Sequence, residues 1–425
     1  MTAVAAAPES DPAKSFRDVW LISIGHSLTH WYPATFYLLL PLIGRELGLS
    51  YSEIGFIMTC QYVAGAVSNI PGGMVVDTVG RQGLLMAVSL FWIGFPYFLM
   101  SFTHSYWVLL LCVMLVGIGN NLWHPTAIPM LAQRFPQQKG LALSFHSMGG
   151  NVGDALAPLA VGALLAFMSW RNIVILNVIP GVLMAFLILY FLGTLRVGSA
   201  NRKERERAAG EKHEGQSVKE YFRGFSELLK NRELLMLSVG SGFRSMTQNG
   251  LLTFLPVFLA YEMGYSPFWV GVCMFVLQAS GFAAAPVAGH LSDRLGRRRI
   301  LMTSMLMTAV VLAFMAFAGR SLAFVFFIAV LGFFLYAIRP VLQAWTLECA
   351  PRKMGGTSIG MLFGVQAVGA SIGPAIGGVL ADRYGLMSVF FFLAVTIVVA
   401  NLFIFFMPSR SLDGSQAGAA ADRIR

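Results

Sequence analysis

The sequence predicts an all-α polytopic membrane protein, with twelve spanning helices in two six-helix bundles of pseudo-two-fold arrangement. Three observations carry this. The 425 residues are 56% hydrophobic and only 12% charged, about half the charge of a soluble domain. Apolar stretches of about 20 residues, enough to cross a bilayer core, recur twelve times. A glycine-rich, charged segment is also written twice. Gly73-Met74-Val75-Val76-Asp77-Thr78-Val79-Gly80-Arg81 returns 216 residues later as Gly289-His290-Leu291-Ser292-Asp293-Arg294-Leu295-Gly296-Arg297.

In chain order, residues 1–17 form a polar tail without the pattern of a cleavable signal, so the first span is expected to persist. The N-terminal bundle, 18–195, holds spans at 18–44, 52–76, 82–103, 105–133, 138–167 and 171–195. Backbone in lipid must satisfy its own hydrogen bonds, so each span is a helix. Residues 196–232 include NRKERERAAGEKHEGQ, have no apolar face before Tyr221, and read as a solvated linker. The C-terminal bundle, 233–408, holds spans at 234–262, 268–290, 299–319, 322–349, 354–382 and 386–408, and 409–425 is a tail.

Landmarks repeat between the halves. Pro41 and Pro256 are 215 apart, as are His124-Pro125 and Arg339-Pro340. Gly140, Gly149 and Gly153 return as Gly360, Gly369 and Gly373, 220 apart. Parallel repeats of this kind suit two halves that rock about a site at their interface.

The net charge of +10 does not signal nucleic acid, because its distribution follows the membrane. Of 30 Lys and Arg, Arg45, Arg171, Arg320 and Arg383 fall in loops on one side, and Arg244 and Arg339 fall inside spans. The other 24 lie in the tails, the linker and the loops of the opposite side. That asymmetry predicts an inner (plasma) membrane protein with both termini cytoplasmic. The four cysteines show no metal or disulfide spacing, and no nucleotide loop, HExxH or nucleophile elbow is present. Enzymatic chemistry and cofactors are not expected.

The repeated segment resembles the G-x-L-x-D-R-x-G-R-R/K loop of the major facilitator superfamily, and the resemblance extends over essentially the whole chain. The second copy matches well; the first has Thr78 and Gln82 where basic residues are usual. The resemblance implies a gating role for Gly73, Asp77, Gly80, Arg81, Gly289, Asp293, Arg294, Gly296 and Arg297, latching an outward-facing state. A carboxylate at a helix end with arginine partners is physically a breakable clasp. Helix 11, Gly360-x8-Gly369-x3-Gly373-Pro374, resembles the family's antiporter motif, normally found in helix 5, where Asp154 here replaces the proline. That implies export, while tight packing of helices 5 and 8 against 2 and 11 explains the same glycines. Three stretches, 23–28, 116–125 and 140–153, are similar to the fosmidomycin-resistance efflux branch, from which the chain departs at His30 and Thr126.

Ionisable groups inside spans are costly and mark candidate sites. His26 and His30 share one face of helix 1, and Asn120 and His124 one face of helix 4. His146, Gly150 and Asp154 form a stripe on helix 5. The C-terminal half answers with Arg244 and Gln248 on helix 7, and Arg339 and Gln343 on helix 10. The resemblance implies that helices 1, 4, 7 and 10 line a central cavity. Arginine matches carboxylates and phosphonates; histidine titrates near neutrality. The expected substrate-binding residues are Arg244, Arg339, Gln248, Gln343, His30, Trp31, Asn120, Trp123 and His124. The expected proton carriers are Asp154, His26, His30 and His146. Trp31, Tyr32, Tyr37, Trp123, Phe243, Phe254 and Trp345 are expected as aromatic lining of that cavity. Other readings stay open: Arg339 could satisfy carbonyls freed by Pro340, Arg244 could pair with Glu262, and Glu348 is expected to pair with Arg352.

These features predict a proton-coupled secondary transporter, an antiporter exporting a small organic anion or drug by alternating access and so able to confer drug resistance. Its partners would be the substrate, protons and the bilayer, with a monomer as the family default. The alternatives are a metal or metallophore exporter using the intramembrane histidines, an uptake symporter of an organic anion, or a lipid-handling protein without vectorial flux.

Overall fold

The structure is a computed structural model that describes residues 12–193, 228–318, 321–351 and 354–407. Most of the expected linker and C-terminal tail, and residues 1–11, lie outside the described residues. The described residues form twelve long helices, one at each of the twelve spans that the apolar runs predict. They are α1 (Pro12–Leu47), α2 (Tyr51–Val79), α3 (Gln82–Met100), α4 (Tyr106–Arg134), α5 (Lys139–Leu164) and α6 (Trp170–Leu192). The second set is α7 (Arg232–Tyr261), α8 (Pro267–Leu295), α9 (Arg297–Ala318), α10 (Leu322–Cys349), α11 (Gly355–Tyr384) and α12 (Met387–Phe405). Within the described residues, eight of these are long and apolar enough to cross a membrane by composition alone. The other four are α1, α2, α5 and α7. Three of them carry His26 and His30, His146 and Asp154, and Arg244 and Gln248, whose polarity dilutes the apolar signal of a span.

Packing repeats with the sequence. α1 lies on α5, α2 on α4, and α3 on α4 and α6; likewise α7 lies on α11, α8 on α10, and α9 on α10 and α12. Small residues make the closest of these contacts. A Cβ on Gly149 or Gly153 would overlap the backbone of Ser23 or Ser27 on α1. A Cβ on Gly369 or Gly373 would likewise meet Gly242 or Met246 on α7. These four glycines therefore bind each half together, because backbones can approach so closely only where a side chain is missing. The expected packing of α5 and α11 on α8 and α2 is made by others, Gly162 against Pro267 and Gly378 against Tyr51. At the end of the bundle carrying the N-terminus, the fully buried Asp18 of α1 pairs with Arg134 of α4.

The halves meet through α2 with α11, α5 with α8, and α1 with α7. These contacts lie at the end holding the α1–α2, α5–α6, α7–α8 and α11–α12 turns. Gly55 sits against the Pro374 carbonyl and Gly271 against the Pro158 carbonyl, two contacts related residue for residue by the same 216-residue offset. One side has an extra fastening: both carboxylate oxygens of Asp382 accept from the Tyr51 and Ser52 amides at 2.9 Å, capping α2 from the opposite half. Arg45 donates to the Ala260 carbonyl (2.8 Å) and Tyr261 to the Pro41 carbonyl (2.8 Å), so α1 is pinned to α7. At the opposite, basic end a Cβ on Gly73, Gly140, Gly289 or Gly360 would meet nothing within 4 Å. The molecule is closed at one end and parted at the other.

Closure this tight should not tolerate a larger residue. Gly271→Val places two methyls against the Pro158 carbonyl, where overpacking costs about 1–3 kcal/mol. We expect it to expose the closed end to a thiol-reactive probe on an engineered surface cysteine there, and to slow transport about tenfold. Unchanged labelling with unchanged transport would show that this contact does not seal the molecule.

Candidate functional site

The polar faces of α1, α4 and α5 converge. His26 is buried, with Nδ1 2.6 Å from the His146 carbonyl oxygen and Nε2 3.1 Å from His124 Nε2. A carbonyl only accepts, so His26 carries its proton on Nδ1, and Nε2 accepts from the His124 Nε2–H. His146 stacks on His26, centroids 3.8 Å apart and 11° from parallel. His30 donates from Nδ1 to Asp154 Oδ2 at 2.9 Å, which leaves its Nε2 with a lone pair. Both side chains are about one-quarter exposed, so this pair opens to the space between the halves. Gly150 makes the room: a Cβ there would lie 2.7 Å from His26 Cε1 and 3.1 Å from His30 Nε2.

The facing wall comes from α7 and α10. Arg244 is 3% exposed and donates from Nη2 to the Leu335 carbonyl at 3.0 Å, in the turn preceding Pro340. It does not reach for Glu262. Arg339 is exposed and, among the described residues, holds no hydrogen bond or ion pair, so it does not cap the Tyr336 carbonyl that Pro340 leaves without its helical donor. Its charge acts on both Arg244 and His124, so the two walls share one field. Gln248 lies beside the Tyr336 hydroxyl, and Gln343 is half-buried on the Arg339 face. Tyr37 and Tyr62 hydrogen-bond to each other, and both, with Tyr336, lie within electrostatic reach of Asp154. Tyr37 was expected in the cavity lining; Tyr62 and Tyr336 were not. Their only sequence signal is aromatic residues in spans, which the lipid-facing surface shares.

Several expected residues are placed elsewhere. Trp123 is fully buried in the N-terminal core, its ring filling the notch at Gly25, so it does not line the cavity. Tyr32 fills the notch at Gly181 and Phe254 that at Gly377, for the same reason: a large ring gains most where a neighbouring helix lacks a side chain. Trp31 spends its Nε1–H on Asn177 Oδ1 at 2.7 Å, joining α1 to α6. Asn120 is half-buried on α4, its Oδ1 without a partner among the described residues.

The repeated loops lie at the parted end. Gly80 ends α2 at φ 62° and Gly296 separates α8 from α9 at φ 92°, a left-handed backbone that suits glycine. Asp293 pairs with Arg297 at 2.5 Å, and Arg297 reaches Glu348 of α10 at 3.0 Å; the expected Glu348–Arg352 pair lies outside the described residues. Arg81 and Arg294 are exposed, Gly73 and Gly289 border open space, and the side chain of Asp77 and Arg352 lie outside the described residues. In this conformation Asp293 and Arg297 of the second loop are paired inside their own half.

Comparison with known proteins follows from this architecture. The Major Facilitator Superfamily family model matches residues 19–289 and 237–423. The chain is 22% identical over 405 residues to the glycerol-3-phosphate transporter of Bacillus subtilis (strain 168), covering 90% of each. It is 24% identical over 415 residues to the putative multidrug resistance protein MdtD of Klebsiella pneumoniae (strain 342), covering 88% of each. Among solved structures it is similar to a bacterial homologue of the human lysosomal transporter Spinster, crystallised inward-facing and unoccupied. The TM-score is 0.76 at 16% identity, over 93% of this chain and 97% of that one.

Proposed function

We propose, from the fact that the chain belongs to the Major Facilitator Superfamily of membrane transporters, that it exports a small organic anion in exchange for protons. The observation that carries this is Arg339. A guanidinium in mid-helix, facing the gap between the halves and without a partner among the described residues, is costly unless something anionic completes it. Arg244, Gln248 and Gln343 extend the same wall. Asp154 and His30 form the coupling pair on the other wall, with His26 and His146 behind them. The name of the Bacillus subtilis relative, a transporter of an organic phosphate, supports the anionic reading, and that of the Klebsiella pneumoniae relative, a putative multidrug resistance protein, supports export; no comparison shows the fosmidomycin-resistance branch.

The basic end is assigned to the cytoplasm by the distribution of Lys and Arg, which places both termini inside an inner (plasma) membrane. The parted end then faces inward. On this reading the Gly73–Arg81 and Gly289–Arg297 loops engage the opposite half only when the molecule turns outward. The transporter works as a monomer.

The test is thermal stabilisation of purified, detergent-solubilised protein by a panel of phosphonates, organic phosphates, carboxylates and cationic drugs, at about pH 6 and about pH 8, either side of histidine titration. Anions are expected to stabilise the protein, and Arg339→Gln to remove the effect. Stabilisation by the cations alone would overturn the proposal.

A further inference from the structure

We infer that His26, His30 and His124 form a binding site for one borderline divalent transition-metal ion, of the zinc, nickel, cobalt and copper class. This goes beyond the anion reading, which needs no metal. The ligand nitrogens of the three side chains lie within 4.8 Å of one another. Two of the rings are already oriented as ligands. His26 is fixed by its Nδ1–H on the His146 carbonyl, and His30 by its Nδ1–H on Asp154, so each presents Nε2. A carbonyl or carboxylate behind the imidazole is the outer shell that orients metal-binding histidines and raises their basicity. The Nε2 atoms of His26 and His124 are 3.1 Å apart, close to the roughly 3.3–3.4 Å edge of a tetrahedron built on metal–nitrogen bonds of about 2.0–2.1 Å. For both to ligate, His124 must hold its proton on Nδ1 in place of Nε2.

The donor set selects the ion. Three imidazoles suit borderline cations; calcium and magnesium require oxygen ligands, and the one carboxylate here is engaged with His30. His146 adds no ligand, since its ring is stacked on His26. His26 is buried while His30 and His124 are part-exposed, so an ion has a route in from the gap between the halves. Three protein ligands leave a fourth position for water or an anionic oxygen. Asp154 offsets the added charge from behind His30, and Arg339 opposes it through its action on His124. The three ligands sit on α1 and α4 of one half, so rocking of the halves would not dismantle the site. An ion there occupies the His30 lone pair, and it should therefore inhibit transport.

The experiment uses the full chain without a histidine tag, in detergent, titrated with Co2+ and followed by visible absorption, with Zn2+ as displacing ion. One equivalent of Co2+ should produce tetrahedral, nitrogen-ligated bands that Zn2+ removes. His30→Ala and His124→Ala should each weaken binding more than about tenfold, and Asp154→Asn, which keeps the shape of the outer shell but not its charge, by about 10–100-fold. Folding of each variant is checked by its unfolding temperature. Asp154→Asn serves as the test if either histidine variant is unstable. Arg339→Gln should keep or strengthen Co2+ binding while losing anion stabilisation, which separates failure of this inference from failure of the anion reading. Absence of the bands, or wild-type affinity in folded His124→Ala, would overturn the site.

Discussion

Arg339→Gln is expected to lower substrate flux in proteoliposomes about 100-fold while leaving the protein folded. Arg339 packs against no partner that the fold requires: among the described residues it makes no hydrogen bond or ion pair, and it is exposed to the gap. Removing it therefore removes little from stability. Its loss falls on the anion, where hydrogen bonds to charged groups are worth about 1.5–3 kcal/mol each. A bidentate pair at the lower end of that range accounts for a factor of about 100. Arg339→Lys keeps the charge but loses the planar fork, so it should recover only part of the flux. Arg244 behaves differently. It is buried and bound to the Leu335 carbonyl, so Arg244→Gln should lower the unfolding temperature as well as the flux. Wild-type flux in Arg339→Gln would remove the proposed anion site.

Asp154→Asn is expected to abolish accumulation driven by a pH gradient while preserving exchange of substrate across the membrane at equal pH. Asparagine matches aspartate in size and can still accept from His30 Nδ1, so the 2.9 Å contact and the local packing persist. What disappears is a group able to lose a proton. The measurement is uptake into everted vesicles with and without an imposed gradient, alongside substrate counterflow. Loss of both activities would indicate a structural or substrate-binding role, and gradient-driven accumulation at the wild-type level would exclude Asp154 as the coupling group.

The two residues illustrate how far spacing leads. Helical periodicity puts His26 and His30 on one face of α1, and His146 with Asp154 on one face of α5. It also marks Arg244 and Arg339 as charges that a membrane interior must accommodate. Periodicity cannot say which face meets which, since that is settled by helix rotation and by contacts between residues far apart in sequence. Trp123 shares a helix with His124, one position away, yet points into the core because Gly25, 98 residues earlier, leaves a notch for it. Trp123, Tyr32 and Phe254 left the expected aromatic lining for that reason, and of the tyrosines around Asp154 only Tyr37 was foreseen, Tyr62 and Tyr336 being missed for the same one.

By itself the sequence determined the membrane class, the twelve helices, the duplication and the family, because these depend on apolar run length, charge distribution and a short motif at a fixed offset. It also placed each polar residue on its helix. Only the tertiary structure decided that His30 takes Asp154, that His26 is spent on the His146 carbonyl and His124, and that Arg244 serves the backbone while Arg339 stands open. It alone decided which end is shut, through Gly55 on Pro374, Gly271 on Pro158 and Asp382 on the start of α2. Those outcomes depend on close packing between distant segments, where the presence or absence of one side chain sets how near two backbones come and which way the neighbouring groups must point.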